Sequence, residues 1–284
     1  MNYDEQLNQL IKNALIEDIG DGDHSTLSSI EKGVKGKAVL KIKEDGILAG
    51  MLVAEKIFRF VQPDIIFTSL KNDGEPMKFG DIAFTVEADV QTILQTERLV
   101  LNSMQRMSGI ATLTKTYVDK LKGYKTKLLD TRKTTPNFRL LEKEAVRIGG
   151  GVNHRFGLYD MIMLKDNHID YCGGIEKAIN KAYDYVQTVK PGLKIEVETR
   201  SIDDVKKVME IGKVDRIMLD NFTPQQIVEA VQIIGDLYET EASGGINLNN
   251  LEEYAATGVD YISSGAVIHQ ARSLDLSLKA IIVS

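Results

Sequence analysis

Cysteine is almost missing from this chain: Cys172 is the only one in 284 residues. No intrachain disulfide and no thiolate metal cluster can form, which suits a reducing cytoplasm. With no nucleophile signature around it, Cys172 reads as a small, half-buried residue. A positive balance is missing too. Lysine and arginine total 35 against 41 aspartates and glutamates, a net charge of −6. That argues against nucleic acid or an anionic membrane as the main partner. No window approaches the ~18 to 20 apolar residues that span a bilayer. The N-terminal MNYDEQLNQLIKNALIEDIG has Leu7, Leu10, Ile11, Ala14 and Leu15 at helical spacing and neither a basic n-region nor an apolar h-region. It reads as an amphipathic surface helix rather than a secretory signal, so the expected compartment is the cytoplasm.

What is present is the composition of a globular protein: 43% hydrophobic residues plus 23 glycines. The length suits one large domain or two of roughly 100 to 200 residues. Over residues 34–90, short alternating runs such as Val34 to Lys43 and Asp81 to Val86 stand between turns rich in Gly, Asp and Pro. These are antiparallel strand signals. Ala49 to Val61 has helical periodicity between them, so this part reads as α+β. Thr92 to Leu121 is helical, with Gly109 as a plausible break between two helices.

After Gly123 the rhythm changes to short apolar runs followed by polar ends and helical stretches. The runs are Lys127 to Asp130, Met161 to Leu164, Leu193 to Val197, Arg216 to Leu219, Tyr238 to Ala242 and Tyr261 to Ser263. Their spacing predicts successive βα units and a parallel sheet or barrel, with six clear strands where a full barrel has eight. Directly after the runs stand Thr131-Arg132-Lys133, Lys165-Asp166-Asn167-His168, Glu198, Asp220-Asn221, Ser243-Gly244-Gly245 and Ser264-Gly265. In a parallel barrel these ends converge on one face, where barrel active sites lie. Strands must end in something polar, yet that alone does not predict cations first, carboxylates next and glycine turns last.

The segment from Thr131 to His168 is locally basic, with Arg132, Lys133, Arg139, Lys143, Arg147, Arg155 and Lys165 against Glu142, Glu144, Asp160 and Asp166. Arg132, His154, Arg155 and Lys165 suit recognition of a small polyanion, the arginines as bidentate forks. Any one of them alone reads as readily as a solvated or salt-bridged residue. The glycine turns, each ahead of a helical stretch, suit a phosphate, although glycine at such a turn is also common for steric reasons. Glu198 and Asp220 end consecutive strands and suit a divalent cation bridging substrate oxygens; the competing reading pairs either with a cation such as Lys165. Asp21, Asp23 and His24 read as a polar turn.

The strings Thr131-Arg-Lys-Thr-Thr-Pro136, Gly149-Gly-Gly-Val-Asn-His-Arg155, Met163-Leu-Lys-Asp-Asn-His168, Glu196-Val-Glu198, Leu219-Asp-Asn-Phe222 and Ser243-Gly-Gly245 resemble the quinolinate phosphoribosyltransferase family. So do Glu17-Asp-Ile-Gly20, Gly22-Asp-His-Ser-Thr26, Thr96-Glu-Arg98 and Ser108-Gly-Ile-Ala-Thr112, so the resemblance covers nearly the whole chain. It implies an α/β fold: an N-terminal α/β sandwich over 1–105, then an incomplete, six-to-seven-stranded parallel α/β barrel over 106–270, with 271–284 packing back on the sandwich. It also implies transfer of phosphoribosyl from 5-phosphoribosyl-1-pyrophosphate to quinolinate, with magnesium, giving nicotinate mononucleotide, carbon dioxide and pyrophosphate. A homodimer with a shared pocket follows from it as well; assembly into hexamers stays open.

Carried over residue by residue, the resemblance places Arg132, His154, Arg155 and Lys165 around the two quinolinate carboxylates, with Arg98 donated by the neighbouring subunit. Lys133 would sit near the phosphoribosyl pyrophosphate. Glu198 and Asp220 would serve magnesium, directly or through water, and the ribose. Ser243, Gly244, Gly245 and Gly265 would hold the 5-phosphate, Gly265 being the least distinctive match.

Three rivals stand beside this reading. A barrel aldolase would use Lys165 as a Schiff base, which needs an apolar setting that the adjacent Asp166 does not offer. A molybdenum-locus homologue of the same fold shares many glycine and basic motifs; the intact Asn153-His154-Arg155 speaks against it. Pro76 to Asp81 is similar to the hairpin of biotinyl or lipoyl carriers, but no lysine stands between Phe79 and Thr114 for a later hairpin to carry.

Overall fold

A computed structural model describes residues 2–281. The chain forms two compact units. The first comprises residues up to Lys115, Thr134–Gly150 and those from Ile268 onward; the second comprises Thr116–Lys133 and Gly151–Val267. Among the described residues no helix is long and apolar enough to cross a membrane.

The first unit is built on antiparallel strands β1 (Lys35–Ile42), β2 (Gly46–Ile47), β3 (Ile66–Ser69), β4 (Pro76–Met77) and β5 (Ile82–Asp89). The C-terminal strand Leu276–Ile281 lines up beside β1 with Leu40 opposite Leu278, giving a four-stranded sheet, while β2 and β4 pair apart from it. Residues 282–284 of the expected C-terminal tail lie outside the described residues. Alternation puts Ala38, Leu40 and Ile42 of β1 and Phe84 and Val86 of β5 in the core, where Phe84 meets Phe58 of the helix Met51–Val61 edge to face.

The stretch from Val90 to Lys120 is one helix of 31 residues, without the break expected at Gly109. Glycine serves a different purpose there. A Cβ at 109 would lie 1.8 Å from the main-chain oxygen of Arg272, so the missing side chain lets the returning C-terminal segment lie against the helix. One turn earlier, Arg106 fastens the unit's three segments together. Its Nε and Nη2 donate to Glu142 Oε1 at 2.9 and 2.8 Å, and Nη2 also donates to the Ile268 carbonyl at 2.9 Å. Glu142 is fully buried and accepts the Thr135 N–H at 2.8 Å as well, so its charge is satisfied on both oxygens.

The second unit carries a parallel sheet of six strands: β6 (Lys127–Leu129), β7 (Ile162–Leu164), β8 (Ile195–Thr199), β9 (Arg216–Asp220), β10 (Glu239–Ser243) and β11 (Tyr261–Ser263), in spatial order β6-β11-β10-β9-β8-β7. All six runs marked in the sequence are strands, and β6 and β7, first and second in the chain, are the two edges of an incomplete barrel. A single parallel bridge from Leu129 to Val152 extends the β6 edge. Helices cover the outside, starting at sound caps: Thr223 and Gln226 form a capping box that spans Pro224 at the first helical position, and the Ser201 side chain accepts the Asp204 N–H.

Register decides what fills the barrel. Glu196 of β8 pairs with Arg216 of β9, and Arg216 pairs with Glu239 of β10. One layer up, Glu198 pairs with Met218, Met218 with Glu241, and Glu241 with Tyr261; above them Asp220 pairs with Ser243. Paired residues point to the same side of a sheet, so these face inward together. The intervening Val197, Ile217, Leu219, Ala242 and Ile262 are fully buried on the other face.

Substituting Gly109→Ala is expected to destabilise the fold by roughly 1–3 kcal/mol, because the clash is with main chain that has no room to shift. A thermal melt checks this: a midpoint lowered by several degrees is expected, and an unchanged one would contradict the close-approach account.

Candidate active site

Eleven of the candidate residues lie in the second unit, nine of them at the C-terminal ends of its strands or directly beyond and two, His154 and Arg155, in the irregular segment ahead of β7; Arg98 lies in the first unit, exposed on the helix Val90–Lys120. Arg132 and Lys133 follow β6, where the Lys133 N–H donates to Thr131 Oγ1 at 3.1 Å in a tight turn. Arg132 is half-buried and Lys133 exposed. Arg155 comes from the irregular segment ahead of β7, and its Nη1 donates to the Met161 carbonyl at 3.2 Å. Burial, and then the charge of Arg132, pull the Arg155 guanidinium below its ordinary pKa. Two cations near enough to repel, on a half-buried rim, make a site that an anion would relax.

Lys165 caps the short helix Asp166–Cys172 after β7, and its Nζ lies 3.3 Å from Glu198 Oε2. Half exposed and paired with a carboxylate, it does not have the apolar setting of a Schiff-base lysine. Glu198 is only 7% exposed and also receives the Asp166 N–H at 3.5 Å. Asp220, at the end of the neighbouring β9, accepts the Asn221 side-chain amide at 2.6 Å. Two carboxylates on adjacent strand ends are the hard oxygen donors that magnesium prefers, leaving its other positions to water and phosphate oxygens. The donor set therefore fits that ion.

The first glycine turn is tightly built. Asn221 has φ of 57° and its N–H donates to the Ser243 carbonyl at 2.9 Å, bringing its side chain over Gly244. Gly244 has φ of +97°, and a Cβ there would meet Asn221 Oδ1 at 2.2 Å. The Gly245 carbonyl accepts from Asn247 and Asn250 at 3.2 and 3.3 Å. The helix that follows begins only at Leu251, six residues beyond Gly245, whereas Gly265 directly precedes the short helix Ala266–His269.

His154 is placed differently from the other candidates. Its ring points into the barrel, 5% exposed, with Nε2 2.9 Å from Glu196 and 3.2 Å from Glu241. Burial opposes a charge on the imidazole, but the two carboxylates outweigh it and raise its pKa to about 9. Glu196 is pushed up to about 7 by burial and by the charge of Glu241. Against this, the Arg155 N–H donates to His154 Nδ1 at 2.6 Å, which keeps that nitrogen bare. In this conformation the ring proton therefore sits on Nε2, between the carboxylates.

Asp130, Arg216 and Glu241 were not singled out from the sequence and Glu196 only as part of a family string, and all four support the candidate residues around His154. Fully buried Asp130 accepts the His154 N–H at 2.8 Å and the Asn153 side-chain amide at 2.7 Å. Arg216 Nη1 lies 3.2 Å from Glu241, Nη2 2.9 Å from Glu239, and the guanidinium carbon 4.3 Å from the Tyr261 ring centre. The signal for Glu196 and Glu241 was an alternation of acids with other residues, Ile-Glu-Val-Glu-Thr and Glu-Thr-Glu-Ala-Ser, in strands that a parallel barrel buries on both faces.

Two family models match, quinolinate phosphoribosyl transferase N-terminal domain over residues 23–108 and the C-terminal domain over 110–279. The chain belongs to the quinolinate phosphoribosyltransferase family. It is 43% identical over 288 residues to quinolinate phosphoribosyltransferase [decarboxylating] 1b of Nicotiana tabacum, covering 96% of this chain and 82% of that one. A probable nicotinate-nucleotide pyrophosphorylase [carboxylating] of Bacillus subtilis is 41% identical, with 96% and 93% covered. The crystal structure of NadC from Streptococcus pyogenes superposes with a TM-score of 0.89 at 39% identity, over 98% of each chain. The nicotinate-nucleotide pyrophosphorylase of Francisella tularensis does so with 0.89 at 37%, over 99% and 98%.

Gly244→Ala is expected to weaken binding of 5-phosphoribosyl-1-pyrophosphate about tenfold or more, since a side chain there adds roughly 1–3 kcal/mol of backbone strain and displaces Asn221. Calorimetric titration measures it; unchanged affinity would remove this turn from the phosphate site.

Proposed function

We propose that the protein transfers the phosphoribosyl group of 5-phosphoribosyl-1-pyrophosphate to the ring nitrogen of quinolinate and releases carbon dioxide, forming nicotinate mononucleotide and pyrophosphate for NAD biosynthesis. The observation that carries this reading is the rim of the barrel, where half-buried Arg132 and Arg155 lie near enough to act on each other and Glu198 and Asp220 stand at the ends of adjacent strands. Quinolinate is a dianion, and removing it from water is costly without fixed cations. Arg132, Arg155 and Lys165 are the groups we assign to its two carboxylates directly, and His154, with Nε2 toward Glu196 and Glu241 and Nδ1 on the Arg155 N–H, is assigned to them through Arg155.

The quinolinate nitrogen attacks the anomeric carbon as the bond to pyrophosphate breaks, and the leaving group carries off the electron pair. Lys133 is assigned to that developing charge. Glu198 and Asp220 would hold magnesium, directly or through water, and the ion supplies positive charge to the pyrophosphate oxygens. Quaternisation makes the ring electron-poor. The adjacent carboxylate then leaves as carbon dioxide, its bonding pair stays on the ring carbon, and a proton takes its place. No side chain serves as nucleophile, so the chain contributes positioning and electrostatics. Ser243, Gly244, Gly245 and Gly265 are assigned to the 5-phosphate.

We assign Arg98 to a partner's pocket in a homodimer; the family resemblance and the exposure of this arginine on its helix support that. The single cysteine supports a reducing compartment, and we take it to be the cytoplasm.

Purified protein given quinolinate, 5-phosphoribosyl-1-pyrophosphate and magnesium should yield nicotinate mononucleotide, with activity lost to a chelator and restored by added magnesium. Turnover of nicotinate but not quinolinate would overturn the assignment. Mixing Arg98→Ala chains with Arg132→Ala chains should recover one working pocket per hybrid dimer. An absence of recovery would refute the shared site.

A further inference from the structure

The residues beneath the rim form one connected assembly, and its connections run in a definite direction. At its base Arg216 from β9 is held by Glu239 and stacks on Tyr261. Arg216 in turn sits against Glu241, which is fully buried. Glu241 and Glu196 together face His154 Nε2, and His154 Nδ1 takes the main-chain N–H of Arg155. Asp130 fixes the same segment from the other side through the His154 N–H and the Asn153 side chain. The imidazole is thus a strut: one nitrogen rests on the barrel floor and the other supports the backbone of a rim arginine.

A barrel interior is ordinarily filled by branched aliphatic side chains. Burying carboxylates there gives little net stability, because desolvation consumes most of what the pairing returns. What such an arrangement does provide is geometry. If the His154 ring rotates, it leaves Nε2 without its carboxylates and the Arg155 N–H without its acceptor at once. The orientation of the ring and the course of the Arg155 backbone are therefore set together.

We propose that Glu241, acting with Glu196, is a positioning residue for quinolinate recognition: it locks the His154 ring and, through Nδ1, the main chain of Arg155. This rests on the assignment of Arg155 to the quinolinate carboxylates. Glu241→Gln is the informative change. The amide keeps the shape, and Arg216 keeps Glu239, so no buried cation is left alone.

The test compares the unaltered enzyme with Glu241→Gln, His154→Ala and the double variant, measuring KM for each substrate, kcat and the melting temperature. We expect Glu241→Gln to raise the quinolinate KM about tenfold, the scale of one lost hydrogen bond, while the 5-phosphoribosyl-1-pyrophosphate KM stays within about twofold. In the His154→Ala background it should add nothing. An unchanged quinolinate KM, an equal rise for both substrates, or effects that multiply in the double variant would overturn the proposal. Should Glu241→Gln fail to fold, Glu196→Gln is judged by the same measures, and failure of both to fold makes the pair structural and refutes the positioning role. Hydrogen exchange of the Arg155 amide gives a reading that needs no turnover: it should quicken about tenfold in Glu241→Gln and otherwise counts against the strut. An unaltered enzyme that does not turn over quinolinate, with the amide effect intact, would instead refute the reaction while leaving the strut in place.

Discussion

Charge buried inside the barrel is the constraint on which the rest of this structure depends. β8, β9 and β10 turn Glu196, Arg216 and Glu241 inward, and none of these buried groups is tolerable there alone. Each is met by another: Arg216 lies between the two glutamates of β10, and His154 lies between Glu196 and Glu241. The floor of the barrel in this way pairs its acids with Arg216 and His154. The cations above it, Arg132, Lys133 and Arg155, stand at the mouth, the place we assign to an anionic ligand.

This separation explains how an acidic protein holds an anion. The net charge of −6 says nothing about where charge of either sign is fixed. The rim carboxylates Glu198 and Asp220 sit on adjacent strands, suited to a cation that travels with phosphate oxygens. The glycine turn after β10 adds a neutral cradle, shaped by the left-handed Asn221 that closes over Gly244.

Much of the fold was legible in the sequence because the barrel repeats one short signal. Each apolar run became a strand, and each polar end a part of the rim. The helix after β6 was harder to place: Arg139–Ile148 belongs to the unit with the antiparallel sheet, tied there by Glu142 to Arg106, and sequence order does not reveal such a return. Gly109 looked like a helix break because a missing side chain has the same appearance whether it frees the backbone or admits a neighbour. The rim residues were legible as strand ends. The floor beneath them was not, since an acid alternating with valine reads as a solvent-facing strand until register shows that both faces are covered. His154 stood out as a binding residue, but only its neighbours across the barrel reveal that its ring points inward.

A crystal structure with quinolinate bound tests the central claim most directly. The account predicts the two carboxylates of the ligand at the barrel mouth, within hydrogen-bonding distance of Arg132 and Arg155, with the ring nitrogen turned toward Glu198 and Asp220 and the His154 ring still resting on Glu196 and Glu241. Quinolinate bound elsewhere on the molecule, or seated at the mouth with its carboxylates away from both arginines, would contradict it.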